Sequence, residues 1–301
     1  MARDNLVAES TPAQALRAIF CMVGGVALLS LNDGIVKVLV ATYPVGQLLF
    51  LRSLFVIPWI LLLAHFSGGL STLRVSHVKG HALRAICVIA SGFFFVTGLI
   101  YLPLADAIAI TFTGPIFITA MAPLVLGERV GWRRWLAVLV GFLGVLVILR
   151  PGTAAMQWAM LLPLGAALAS GMRDLITRRI ASSETTVAVL FVTTTAVLVA
   201  GLLTFPLGWV PFRARDLWIF GLSSVIFTTA HYLMVEAFRN GEAALIAPFK
   251  YTSLVWGVLF GYLLFNHLPD GWTMLGAGIV VLAGLYIAHR ERVRRKQQAA
   301  A

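Results

Sequence analysis

Ten apolar runs, separated by short links carrying charges, proline or glycine, account for most of this 301-residue chain. A helix needs about 20 largely apolar residues to cross the hydrocarbon core of a bilayer, so each run reads as one crossing. The first five lie at roughly 15–40, 45–66, 82–101, 104–126 and 131–149, and the second five at roughly 155–177, 185–207, 216–238, 242–265 and 270–289. The breaker Arg150-Pro151-Gly152 divides the two groups. The links are too short for a separate soluble domain. Composition agrees: the chain is 60% hydrophobic and 12% charged, against about 45–50% and about 25% in soluble domains.

The net charge of +11 does not imply a nucleic-acid partner, because the basic residues punctuate apolar runs instead of forming a face. They report topology. Lysine and arginine concentrate at the cytoplasmic ends of membrane helices. Arg3 and Arg17 precede the first run, and Arg74, Lys79 and Arg84 follow the second. Arg129, Arg133 and Arg134 follow the fourth, Arg173, Arg178 and Arg179 end or follow the sixth, and Arg239 follows the eighth. The tail adds Arg290, Arg292, Arg294, Arg295 and Lys296, while only Arg150, Arg213 and Arg215 fall on the other side. Both termini are therefore expected in the cytoplasm. Five crossings per half is an odd number, so the halves run in opposite senses, as in inverted-repeat transporters.

The expected fold is all-α: a polytopic membrane protein of ten transmembrane helices in two inverted five-helix repeats. The repeats are read as 15–150 and 153–290, with a cytoplasmic tail at 1–14 and a basic one at 291–301. Gly131-Trp132 with Gly144 and Gly271-Trp272 with Gly284 recur at one spacing, each at the last helix of its half. Met1 to Arg17 has acidic and polar residues and no small-residue cleavage site, so the first helix is expected to stay uncleaved. Cys21 and Cys87 sit in apolar runs as small hydrophobes, without disulfide or metal spacing.

Ionisable groups inside such runs cost on the order of 2.5–3.5 kcal/mol each and usually face a bundle interior or a wet cavity. Asn32 and Asp33 in the first run, with Lys37 one turn beyond Asp33, form one polar face. Counting back from Gly46 brings Arg52 to the depth of Asp33, which suggests an ion pair. These charges either fix packing, with Lys37 snorkelling outward, or serve coupling and gating. In the ninth run, Pro248-Phe249-Lys250-Tyr251-Thr252 places a lysine behind a helix-weakening proline. Lys250 either binds a substrate carboxylate, assisted by Tyr251, His231 and Tyr232, or pairs with Glu236. The matching stretch of the fourth run is Thr111-Phe112-Thr113-Gly114-Pro115, with Pro123 beyond. Helices broken at corresponding places in two halves point to a binding site, so Thr111, Thr113 and Asn32 join the substrate-binding candidates. The alternative for the threonines is a bond back to their own helix.

Asp106 and Glu242 read as helix N-terminal charges, Gly257 and Gly261 as a close-packing pair, and Phe93 to Phe95 as core or lipid contacts. There is no His-Glu-x-x-His, P-loop or G-x-S-x-G pattern, so neither enzyme chemistry nor a metal site is expected, and no cofactor.

Leu102-Pro103-Leu104-Ala105-Asp106-Ala107, the Pro123 to Leu126 stretch closing in Gly127-Glu128-Arg129, and Ala247-Pro248-Phe249 with Tyr251 resemble the EamA-type carriers of the drug/metabolite transporter superfamily. Asn266-His267 stands where the second half of such carriers commonly has Gly-Glu. The resemblance implies a carrier with a cavity between the halves that opens alternately to each side, without ATP, often driven by protons or by the substrate gradient. It implies export of an amino-acid-like or zwitterionic metabolite, such as an opine-type metallophore, or uptake of a vitamin or nucleoside-type compound such as riboflavin or S-adenosylmethionine. A passive channel or a membrane scaffold is the reading from another class. The expected partners are a small-molecule substrate, the lipid bilayer and protons as coupling ion; the sequence encodes no oligomeric state.

Overall fold

A computed structural model describes residues 12–66, 68–127, 131–150, 157–180, 185–240 and 247–299. The helices in chain order are α1 (Pro12–Val40), α2 (Val45–Phe66), α3 (Val78–Tyr101), α4 (Leu104–Thr111), α5 (Gly114–Leu126), α6 (Trp132–Leu149), α7 (Leu161–Ile180), α8 (Thr186–Leu202), α9 (Leu217–Asn240), α10 (Thr252–Phe265) and α11 (Gly271–Ala299). Eight segments are long and apolar enough to cross a membrane, and Val187–Leu202 and Phe249–Phe265 are shorter apolar helices. Together these are the ten expected crossings. The chain is an all-helical multi-pass membrane protein in two halves, the second inverted relative to the first because each half crosses an odd number of times.

Boundaries moved at four places. The third helix starts at Val78, so Lys79 lies inside α3 and not in a link. The fourth run splits into α4 and α5. The ninth run contains a tight 3-10 segment, Ala247–Tyr251, before α10. α11 continues past the expected end at 289 to Ala299, since Arg, Lys, Gln and Ala all sustain a helix. The Glu128-Arg129, Pro151-Gly152 and Glu242 positions lie outside the described residues.

The major packing contacts join one half to the other: α1 with α9, α2 with α8, α3 with α7, α4 with α10 and α6 with α11. In lipid, tails are as apolar as leucine, so close backbone approach must hold helices together. Small residues supply it. A Cβ on Gly276 would sit 2.6 Å from the Gly144 carbonyl, and one on Gly201 2.7 Å from that of Gly46. Gly257 of α10 lies against Ile108 of α4, the close-packing role expected for it.

The end of the bundle away from the termini is stitched by polar contacts between the halves. Tyr43 donates to Asp216 at 2.6 Å and accepts from the Arg213 N–H at 3.2 Å. Burial and the adjacent carboxylate push the Tyr43 phenol up, so it stays a donor at neutral pH. Gln47 donates to the Val210 carbonyl at 2.7 Å and accepts from its N–H at 3.0 Å. Arg150 meets Asp270 at 2.5 Å, and Asp270 also caps α11 through the Thr273 N–H. Hydrogen bonds from Thr273 and Arg150 hold the Asp270 carboxyl below its usual range. Tyr43→Phe is expected to cost about 2 kcal/mol, because it strands a buried carboxylate without its donor. Thermal unfolding in detergent checks this; an unchanged midpoint would show that the contact carries no stability.

Candidate substrate cavity

The two breaks in the helices meet. In the first half, Thr111 and Thr113 hydroxyls bond back to the Ile108 and Ile110 carbonyls at 2.7 and 2.9 Å, and Pro115 has no N–H to give. The chain turns there through Phe112 and restarts as α5. In the second half, the 3-10 segment places Phe249 so that its carbonyl accepts from Thr252 at 2.7 Å. The rings of Phe112 and Tyr251 then lie 5.2 Å apart across the interface between halves. A Cβ on Gly284 of α11 would collide with the Tyr251 phenol, so the ring seats against bare backbone.

Beneath this aromatic pair opens a cavity of about 410 Å³, lined by Thr111, Phe112, Ser170, Asp174, Arg134, Lys250, Tyr251 and neighbouring apolar groups. Its walls come from α4 to α7, the 3-10 segment and α11, and Arg134, Ile287 and Ala288 place its mouth towards the end carrying the termini. Lys250 is exposed to this space. Asp174 and Arg173 are the charges that act on it most, and Arg173 pairs with Asp174 at 2.8 Å. Glu236, the alternative partner considered for Lys250, meets Arg17 of α1 at 3.7 Å.

A second chamber of about 270 Å³ lies deeper and is lined by Asp33, Arg52, Ser91, Phe95, Arg173 and Phe227, and again by Thr111 and Ser170. Those two shared residues make the chambers neighbours. Asp33 and Arg52 face the same space, and Arg52 is the main charge acting on Asp33. The Arg52 guanidinium stacks over the Phe227 ring at 4.8 Å. The outcome is two opposed charges around one chamber, with no direct salt bridge at contact distance between them among the described residues.

Five sequence candidates, Lys37, Thr113, Asn32, His231 and Tyr232, line neither chamber. Lys37 does not meet Asp33: its ammonium donates to the Leu99 and Leu102 carbonyls at 2.7 and 2.5 Å, capping the end of α3. A cation there satisfies carbonyls that a helix end leaves unpaired. Thr113 is fully buried and bonds only within its own turn, away from the cavity. Asn32 is fully buried and accepts from Ser223 at 2.7 Å, tying α1 to α9. His231 and Tyr232 line a separate cleft at the lipid face, and His231 lies 2.9 Å from the Phe227 carbonyl. Asp106, in the first turn of α4, lines a small pocket with Arg150, His267 and Asp270 at the far end.

Sequence reasoning missed Asp174, Ser170 and Arg173 because Arg173 was counted as a topology marker. The available signal was an acid inside an apolar run. Arg84, also read as a topology marker, donates to Thr177 at 2.8 Å and to Thr193, tying α3 to α7 and α8.

The EamA-like transporter family model matches residues 16–150 and again 157–288. The riboflavin transporter of Rhizobium johnstonii is 34% identical over 77% of this chain and 77% of its own length. The S-adenosylmethionine uptake transporter of Rickettsia felis is 28% identical over 81% of each chain. The pseudopaline exporter CntI of Pseudomonas aeruginosa is 27% identical over 87% of this chain and 93% of its own. One solved crystal structure superposes with a TM-score of 0.62 over 94% of this chain and 98% of that one, at 17% identity, which establishes the shared fold. With two repeats matched and broken helices meeting between them, this chain belongs to the EamA-like transporter family and is a membrane transporter of small molecules.

Proposed function

We propose that the chain is a secondary carrier for a metabolite that joins a planar heteroaromatic ring to a polar or zwitterionic tail, of the riboflavin or S-adenosylmethionine kind. The observation that carries this reading is the pairing of Phe112 and Tyr251 above Lys250 and Asp174 in one cavity. Two aromatic side chains, tilted by 39° to each other, offer faces and edges to a flat ring. A cation beside an anion suits a group with both charges, through charge-assisted hydrogen bonds. A volume of about 410 Å³ is in the range of small-molecule sites, about 300–1,000 Å³. Uptake is favoured by the name of the Rickettsia relative. Export of a zwitterionic metabolite is the second reading, favoured by the Pseudomonas exporter, which aligns over most of both chains.

The repeats are assigned to 15–150 and 153–290, with tails 1–14 and 291–301 in the cytoplasm of a bacterial cell whose inner membrane holds the protein. Asp33, opposed by Arg52, is the candidate coupling group for a proton. Lys250, Tyr251 and Thr111 remain the substrate-binding assignments, now with Asp174 and Ser170. Counterflow in proteoliposomes tests the reading. Saturable exchange of labelled riboflavin or S-adenosylmethionine is expected; exchange of amino acids or opines alone would transfer support to export. Conductance that does not saturate would indicate a channel.

A further inference from the structure

The lipid-side cleft lined by His231 and Tyr232 is larger than the Lys250 cavity. α8 and α9 both pack on α2 but scarcely touch each other. The cleft they leave has α2 as its floor and a volume of about 580 Å³. Trp59, Leu62 and Phe66 of α2 are exposed along it, on a helix that spans the membrane, so the cleft opens sideways to the bilayer.

The interior is not purely apolar. Thr194 of α8 and Thr228, Thr229, His231 and Tyr232 of α9 line it. The Thr228 hydroxyl is buried without a hydrogen-bond partner. Hydroxyls in a lipid-facing cleft are costly unless something there bonds them. An acyl chain offers no such group.

Phe227 lines both this cleft and the chamber that holds Asp33 and Arg52. Its ring contacts the Arg52 guanidinium at 4.8 Å and the His231 ring, tilted by 42°, at 4.2 Å. At this point the partition between lipid and the inner chamber is one stack of side chains, with a cation immediately behind it. Ring rotation at Phe227 needs no backbone movement.

We infer that the α2/α8/α9 cleft is a membrane-accessible binding site for a planar aromatic amphiphile bearing an acidic or hydrogen-bond-accepting group. The ring is held among Trp59, Phe66 and Phe227, and the polar group meets Thr228 and Tyr232 within the field of Arg52. The site is distinct from the Lys250 cavity and does not depend on the identity of the transported compound.

The test uses purified full-length protein in phosphatidylcholine nanodiscs, with 1-anilinonaphthalene-8-sulfonate as probe and empty nanodiscs subtracted. Saturable probe fluorescence is expected, with energy transfer from tryptophan that falls in Trp59→Phe, the other seven tryptophans supplying the remainder. Thr194→Phe, which fills the cleft, and the near-isosteric Thr228→Val are each expected to weaken binding about tenfold, equivalent to one lost hydrogen bond or more. The thermal midpoint of Thr228→Val should stay near that of the parent, so a folding defect in Thr194→Phe cannot imitate the result. Unsaturable partitioning, or saturable binding that ignores Thr228→Val and Trp59→Phe, would overturn the assignment. So would native mass spectrometry showing a retained phospholipid that the probe fails to displace. Because the readout is binding, a failure here is separable from a failure of the carrier reading.

Discussion

Lys250→Ala is expected to raise the half-saturating concentration of the transported compound about 10- to 100-fold while membrane insertion is retained. The magnitude follows from one charge-assisted hydrogen bond, about 1.5–3 kcal/mol, at about 1.4 kcal/mol per tenfold. Lys250 lies in the open cavity beneath Phe112 and Tyr251, not in a packed helix interface, so its removal should leave the thermal midpoint nearly unchanged. Asp174→Asn should cut affinity for zwitterions and spare compounds that lack a cationic group. Kinetics of counterflow in proteoliposomes measure both. Equal transport by Lys250→Ala and parent would remove the lysine from the site.

Arg52→Ala is the second large effect, and it acts on stability as well as transport. Asp33 shares its chamber with Arg52 and draws its main favourable field from it. Without the guanidinium, Asp33 either keeps its charge deep in the membrane at a cost of about 3 kcal/mol or takes up a proton, and in both cases the favourable field of Arg52 is lost. The contact of Arg52 with Phe227 adds about 1 kcal/mol. The double variant Arg52→Ala/Asp33→Asn should therefore be more stable than Arg52→Ala alone, yet remain without transport. Thermal unfolding across the four proteins of this cycle supplies the coupling energy. Additive losses would show that the two charges act independently.

The crossings were legible because the bilayer imposes length and hydropathy on every helix. Thr111-Phe112-Thr113-Gly114-Pro115 and Pro248 with Lys250 also announced where the helices break, since proline and back-bonding threonines act locally. Which side chains those breaks bring together was not legible. Thr111 and Thr113 are two residues apart, and the turn sends one to the cavity and buries the other. Lys37 lies one turn from Asp33, but the end of α3 offers carbonyls within its reach, a contact more than 60 residues away in sequence. Tyr232 is exposed on the outer side of α9, and His231 packs on Phe227 without lining the Lys250 cavity. Depth follows from counting along one helix, whereas facing depends on neighbours that only packing supplies. Asp174 was hidden for the related reason that a charge near a helix end reads as topology until its neighbours show it lining a cavity.

Ser170 offers the most direct test of the central claim, that cargo passes between the halves through the two chambers it lines. With Cys21 and Cys87 replaced by alanine, Ser170→Cys can be labelled in proteoliposomes by a charged, water-soluble maleimide. Labelling should occur without cargo, and saturating riboflavin or S-adenosylmethionine, whichever exchanges, should slow it at least about tenfold, with protection lost in Lys250→Ala. Protection that persists in Lys250→Ala, or labelling indifferent to a compound the protein demonstrably transports, would place the cargo path elsewhere.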